Sequence, residues 1–499
     1  MRNALKSSEV EAFRTLICER LGLHFDEGRL DFLADILRQR MERSGCDQVS
    51  RYLGILTGSS SERQELRKLA TQLTIGETSF FRNIAHFDAL IDVVIPDRMR
   101  AQAPRRQLRI LSAGCASGEE AYTVAILLRE HFPDLASWDV TIRGIDINPL
   151  MIEKALRARY SAWSIRETSN ELRTRYFRTE NREFLLKDCV RAAASFEEKN
   201  LVEDDPLFWQ PGSFDVVFCR NVLMYFAPEV TRTVIARITR SLTPGGFLFL
   251  GHAETLRGIS HDFHLRHTHN TFYYQEKEDA PSAPGEVRQG SNSHKDSWFT
   301  AIQQATDRVI SLTHTKSEVS SHLSADFCPT PPQWDPLSTM ELLQQERYAE
   351  ALQAMMDLPA GVKDDPNVQL LRAVLLTNSG NLVEAEKVCH RLFELDELNA
   401  GAHYLMALCR EHNGALHAAI EHNQAAVYLD PTFAMPHLHL GLMAERMGDV
   451  NGAVKEFVQA RELLPAEDSN RILLFGGGFT REALMKFCHA KQQSNGDRA

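Results

Sequence analysis

Apolar positions recur at helical spacing through the first 75 residues, as in Val10, Phe13, Leu16 and Ile17 and again in Phe32, Leu33, Ile36 and Leu37, with charged residues between them. This pattern predicts a small helical domain over 1–75. From Gln107 the period changes: the short apolar runs RILSAG, DVTIRGID, FDVVFCRN and GGFLFLG alternate with helical stretches, and TFYYQEK closes the series. Such alternation predicts a doubly wound, Rossmann-like α/β domain over 76–277. Residues 278–334 are rich in Ser, Pro and polar residues and lose periodicity, which predicts a linker with one short helix around Trp298–Leu312.

Beyond it the chain repeats itself. Gly380, Gly414 and Gly448 keep a 34-residue interval, as do Ala351, Ala385, Ala419 and Ala453, and Leu395, Leu429 and Leu463. That period is the signature of tetratricopeptide (TPR) helix–turn–helix units, in which each glycine ends a first helix and each alanine lets the second pack closely. An all-α TPR solenoid is therefore expected over 335–492. It has about three full repeats, a truncated first one at 337–358 and a capping helix near Thr480–Lys491.

Composition changes this picture little. With 499 residues two or three domains are expected, and no run of about 18 apolar residues is present, so direct membrane insertion is not expected. The N-terminus has no basic-then-apolar signal layout. Nine cysteines are scattered without a CxxC pair, which points to a reduced, cytoplasmic compartment and to no metal site. The net charge is −11, and residues from Pro331 onward hold 14 Lys+Arg against 23 Asp+Glu, a balance of −9. The remainder is nearly neutral, which argues against nucleic acid as a partner.

Candidate chemistry begins at RILSAGCASGEE. The small residues Ala113, Gly114, Ala116 and Gly118 let a ligand approach the backbone at the carboxyl end of a strand. The turn is not GxGxxG, and Glu119 and Glu120 stand where a dinucleotide would need its pyrophosphate. Acids there suit the positively charged aminoacyl-sulfonium end of S-adenosylmethionine; tight helix–strand packing is the alternative. Asp146, ending the next strand, is placed to accept ribose hydroxyls, although a lone Asp there is commonly a helix cap. The tip of a later strand brings Cys219, Arg220 and Asn221 to the same crevice. Asn200 and Leu201 are placed to bracket an adenine, or Asn200 to satisfy backbone groups. In TIGETSFFRN, Thr78 and Arg82 offer a hydroxyl and a guanidinium to close the crevice.

These residues resemble a known family. TxxxTxFFR followed by HF, SAGCASGEEAYT, GIDIN, KNL, FCRNVLMYF and LTPGGFLFLGHAE occur in the order found in CheR-type chemotaxis protein methyltransferases, over residues 10–276. The resemblance implies an S-adenosylmethionine-dependent enzyme that esterifies glutamates of methyl-accepting chemoreceptors, leaving S-adenosylhomocysteine. It implies cofactor contacts at Gly76, Thr78, Arg82, Glu119, Asp146, Asn200, Leu201, Cys219, Arg220 and Asn221. It also implies a small antiparallel β-subdomain at about 171–199 that grips receptor tails. Gly76 departs from the Asn that well-known members carry, so only its backbone is available. The repeats are similar to those of the Wsp-type branch, linked to surface sensing and biofilm control.

A glutamate side chain has a pKa near 4.3 and is already ionised at neutral pH, so no general base is expected. Arg82 or Arg220 would orient the carboxylate, and Tyr225 would line the methyl passage or serve only as core. Arg29, Arg38, Arg40, Arg43 and Arg51 would read acidic receptor helices, or form a solvated helix face. The repeats would bind a protein or peptide. Two competing readings stand beside this: a catalytically weak fold acting as a cofactor-gated scaffold, and a methyltransferase for small molecules or nucleic acid. Retention of Arg82, Glu119, Asp146 and Asn221 disfavours the first; the absent amine-methylating motif disfavours the second.

Overall fold

Helical patterning at the start of the chain produces α1 (Ser7–Leu21), α2 (Leu30–Arg43), α3 (Val49–Ile55) and α4 (Glu62–Leu73). In α1 the Lys6 backbone N–H donates to Glu9 Oε2 at 2.8 Å, and the helix ends where Gly22 adopts φ 76. Its apolar face (Val10, Phe13, Leu16, Ile17) meets Leu33 and Leu37 of α2 in one core. Phe32 stays exposed, one position off that face. Arg40 departs from the expected surface row: at i+7 from Leu33 it turns inward and is buried. Its guanidinium makes two 2.8 Å hydrogen bonds to Glu65, which also accepts from the Tyr52 hydroxyl at 3.0 Å. Arg38 pairs with Asp35, while Arg29, Arg43 and Arg51 are exposed.

The computed structural model describes residues 5–58, 62–252, 254–278, 336–356, 358 and 360–496. The expected linker, apart from Glu278, and its helix around Trp298–Leu312 lie outside the described residues. The described chain falls into two compact units: the first runs to Thr255 and resumes at Asp262, and the second holds the C-terminal helices with Leu256–His261. Among the described residues no helix is long and apolar enough to cross a membrane.

In the first unit α5 (Ile84–Ala89), a π-helical turn (Leu90–Val94) and α6 (Ile95–Ala101) lead into a seven-stranded sheet. Its strands are β1 (Gln107–Ala113), β2 (Asp139–Asp146), β6 (Ala194–Glu198), β7 (Phe214–Cys219), β8 (Leu242–Leu250), β9 (Phe263–Thr268) and β10 (Thr271–Glu276). The order is β6-β2-β1-β7-β8-β10-β9, parallel through β8 and antiparallel at β10 and β9. Helices α7 (Glu119–His131), α8 (Pro149–Arg157) and α9 (Pro228–Ser241) cross between strands. Order reverses between β1 and β7, so a crevice is expected outside the carboxyl ends of these strands. A second sheet, antiparallel, joins β3 (Arg159–Tyr160), β5 (Glu183–Leu186) and β4 (Phe177–Glu180). The insert thus differs from 171–199 at both ends: its first strand comes earlier, and Ala194–Glu198 pairs with β2 as the edge of the main sheet instead.

The second unit shows the repeat as geometry. First helices begin at Pro366, Ala400 and Ala434, and second helices at Leu382, Leu416 and Val450, each 34 residues after the last. Gly380, Gly414 and Gly448 have φ of 77, 75 and 79°, the left-handed conformation that ends a helix with little steric cost. Ala385, Ala419 and Ala453 are fully buried. The short pair Pro336–Gln344 and Tyr348–Ala354 precedes the full repeats; Ser469–Phe475, an unexpected helix, and Arg481–Gly496 follow them. This is a TPR solenoid.

Within it His403 and His422 face each other with Nδ1 atoms 3.0 Å apart. Burial pulls their pKa values down to about 4 and about 3; at His422 the charges of His403 and Arg410 add to burial. Unfolded histidine titrates near 6.5, so below that pH the unfolded chain binds more protons than the folded one. Stability from this pair is complete above about pH 6.5 and falls as pH drops toward 4, by up to about 1.4 kcal/mol per pH unit for each ring. Urea unfolding at pH 7 and pH 5 is expected to show that loss, and His403→Gln to flatten it; equal pH dependence in the variant would count against the pair.

Candidate active site

β1 delivers the chain into a turn whose backbone is held by β2: Gly114 and Cys115 both donate to the Ile145 carbonyl, at 2.8 and 2.9 Å. Gly114 has φ 75, and a Cβ there would lie 2.3 Å from Val222 Cγ2, so only glycine fits. Ala116, also left-handed at φ 46, donates its N–H to Asp146 Oδ2 at 2.9 Å, and Asp146 Oδ1 accepts from Asn148 at 2.8 Å. Burial raises the Asp146 pKa, opposed by these two N–H donors. Its carboxylate is thereby aimed, with lone pairs to spare for hydroxyl donors.

The crevice outside β1, β2 and β7 is a cavity of about 410 Å³. Gly76, Thr78, Arg82, Asp146, Asn200, Leu201, Arg220, Asn221 and Tyr225 all line it. Residues far apart in sequence are therefore brought to one wall system.

Two expected members are elsewhere. Cys219 is fully buried at the end of β7 and is not among the lining residues. Glu119 is 1% exposed, accepts the Ser117 hydroxyl at 2.8 Å, and has its pKa raised by burial. Its neighbour Glu120 faces the cavity instead, because consecutive residues of α7 point about 100° apart. Glu120 accepts from Ser112 Oγ at 2.7 Å and pairs with Arg220 Nη1 at 3.1 Å.

Arg220 is itself committed: its Nη2 donates to the Arg82 carbonyl at 2.8 Å, and it is 8% exposed. Burial pulls its pKa down and the Glu120 charge pulls it back. It ties the β1 turn to the segment before α5 rather than offering a free cation. Arg82 differs. It is half-buried, its Nη1 donates to the Glu77 carbonyl at 3.2 Å, and among the described residues it forms no salt bridge. Its flanking residues Phe81 and Asn83 are left-handed (φ 58 and 61), backbone that persists where the surroundings enforce it.

The helical domain closes the far side. Leu21, Leu23 and Leu73–Ile75 line the cavity, and the His24 N–H donates to the Tyr225 carbonyl at 2.7 Å. Tyr225 both lines the cavity and packs on the helical core. Asn200 spends its side chain on the Arg20 carbonyl (2.9 Å) and the Val202 N–H (3.1 Å), the backbone-satisfying alternative. Patterning offers Glu119 and Glu120 together without deciding which turns inward, and it gives no sign of Met151 or of the helical-domain wall.

Met151 explains the departure at Gly76. A Cβ on residue 76 would sit 2.4 Å from Met151 Sδ, so the thioether fills the space a side chain would take. Gly76→Asn is expected to weaken S-adenosylhomocysteine binding at least tenfold by overpacking, and Gly76→Asn with Met151→Ala to recover most of it. Calorimetric titration decides; equal affinities for wild type and Gly76→Asn would rule the clash out.

An acid-lined turn with no phosphate cradle fits a cationic nucleoside ligand better than a dinucleotide. Comparison with known proteins agrees. Residues 8–74 match the family model for the CheR methyltransferase all-alpha domain, and residues 76–272 that for the CheR methyltransferase SAM binding domain. The chain is 33% identical over 265 residues to chemotaxis protein methyltransferase 2 of Vibrio cholerae, covering 53% of this chain and 91% of that one. It is 28% identical over 475 residues to the probable biofilm formation methyltransferase WspC of Pseudomonas putida, covering 92% and 99%. A crystal structure of MamA protein overlaps 32% of this chain and 92% of its own at 18% identity, with a TM-score of 0.23. The chain thus belongs to the CheR family of chemotaxis methyltransferases, with S-adenosylmethionine as its methyl donor.

Proposed function

We propose that the enzyme methylates glutamate carboxylates on the cytoplasmic domain of a methyl-accepting, chemoreceptor-type protein, working in the cytoplasm and forming glutamate methyl esters. The observation that carries this reading is Arg82: a cavity-lining guanidinium without a carboxylate partner among the described residues, held by the backbone on both sides. A carboxylate entering the cavity completes it.

S-adenosylmethionine held in the cavity would supply an electrophilic methyl group on a sulfonium, with S-adenosylhomocysteine as the product. Asp146 would take the ribose hydroxyls and Glu120 would face the cationic aminoacyl-sulfonium end, while Gly76, Thr78, Leu201 and Asn221 shape the walls. Arg82 would orient the substrate carboxylate toward the methyl group that the cofactor supplies. No proton moves, because the nucleophile is already ionised. Tyr225 and the helical domain exclude water, and alignment of this kind supplies roughly 7–11 kcal/mol in favourable cases.

The functional division follows 1–75, 76–277, a linker at 278–334 and repeats at 335–492. The repeats present an apolar cavity of about 390 Å³, lined among others by Tyr404, Leu408, Leu438 and Phe475, for a protein or peptide partner. Such a tether raises the enzyme's effective concentration at its substrate. Incubation with methyl-labelled cofactor and a receptor cytoplasmic fragment tests the glutamate assignment. Label released by mild base is expected; base-stable label would refute the ester.

A further inference from the structure

We propose that Glu254 is a positioning residue, whose buried carboxylate holds the backbone after β7 in the conformation that turns Asn221 and Tyr225 to the cavity. The inference rests on the reading of that cavity as the methyl-transfer site. Glu254 is 5% exposed. Its Oε2 accepts the N–H groups of Asn221 and Gly251, both at 2.7 Å. Its Oε1 accepts that of Val222 at 2.8 Å and that of Met224 at 3.3 Å. Among the described residues one carboxylate therefore gathers four backbone donors, three of them from the loop that lines the cavity.

These donors need it. The residues follow the last paired position of β7, where Cys219 lies opposite Leu250 of β8, so the ladder offers them no further partner. Asn221 is left-handed (φ 59), a conformation that a non-glycine residue keeps when its surroundings enforce it. Gly251 makes room: a Cβ there would lie 2.7 Å from Glu254 Oε2 and 2.8 Å from Asn221 Nδ2. The far end of the loop is fastened separately, through the Tyr225 carbonyl and His24. Val222, itself held by Glu254, closes over Gly114 of the cofactor turn, so release at Glu254 loosens both walls.

Glu254→Gln keeps the volume but sets an amide NH₂ against backbone N–H donors; Glu254→Ala removes the group. In the full chain with S-adenosylhomocysteine bound, amide exchange of a peptide spanning 221–225 is expected to rise at least tenfold in both variants. Exchange in β1 and β2 should stay as in wild type, and the Kd for S-adenosylhomocysteine should rise at least tenfold. Wild-type exchange and affinity in Glu254→Gln would overturn the proposal, since volume alone would then suffice. So would a uniform rise in exchange through β1 and β2 in a variant that stays folded. Should both variants fail to fold, Gly251→Ala disturbs the same contact from the opposite side: faster exchange confined to 221–225 supports the role, and unchanged exchange overturns it. A wild type that fails to label the receptor fragment would refute the glutamate assignment while leaving these measurements to decide on Glu254.

Discussion

Replacing Arg82 by alanine is expected to lower kcat/KM for methyl transfer about 10²- to 10³-fold without unfolding the chain, the loss typical of a preorganised charged group at a reacting centre. Among the described residues its side chain makes one hydrogen bond, to the Glu77 carbonyl at 3.2 Å, so its removal costs little stability. Its position is built by others. Phe81 and Asn83 hold strained backbone on either side, the Phe81 N–H is taken by Thr123 Oγ1 at 3.2 Å, and the Arg82 carbonyl by Arg220. Arg82→Lys keeps the charge but loses the planar fork, and an intermediate loss of about tenfold follows from one hydrogen bond of roughly 1.4 kcal/mol. Initial rates with labelled cofactor, beside thermal melts of the same samples, give the answer. An alanine variant within threefold of wild type would remove Arg82 from the reaction.

Replacing Arg220 by alanine is expected to act through stability first. The Arg220–Glu120 pair is nearly enclosed, with side-chain exposures of 4% and 14%. Truncating one member of such a pair leaves the other charge without compensation and costs about 3–5 kcal/mol. Glu120 would keep only the Ser112 hydroxyl, and the Arg82 carbonyl would lose its donor. Adding Glu120→Gln removes the stranded charge, so the double variant should recover a good part of the stability while cofactor affinity stays low. Urea unfolding of the three variants, with S-adenosylhomocysteine titrations, separates the two effects. A single variant costing under about 1 kcal/mol would show that water reaches the pair and that Arg220 is not the tie described above.

Both expectations depend on facts that patterning alone could not supply. A row of arginines on α2 reads alike whether solvated or buried, and Arg40 turned inward because Glu65, 25 residues on, waits there with Tyr52. β9 carries His264, Arg266 and His267 and so lacks an apolar run; it is a strand because β10 pairs with it along six residues. β6 carries Ser195, Glu197 and Glu198 and has no apolar run, so its sequence does not separate it from the insert; pairing with β2 is what assigns it. At the site, Glu119 and Glu120 are chemically the same, and only the direction of α7 tells which enters the cavity.

What the sequence determined by itself was everything carried by period and local chemistry: the helical opening, the alternation that makes a doubly wound sheet, the 34-residue repeat, and the acid-bearing small-residue turn. Those signals are local, since hydrophobic spacing and left-handed glycines act within a few residues. The tertiary structure alone decided which side chains are spent on one another. Arg220 and Arg82 look alike as arginines, yet one is bound to Glu120 and a carbonyl while the other faces the cavity without an ion pair among the described residues. That distinction comes from contacts across about 100 residues of chain, where burial makes an unpaired charge costly and so forces the pairing.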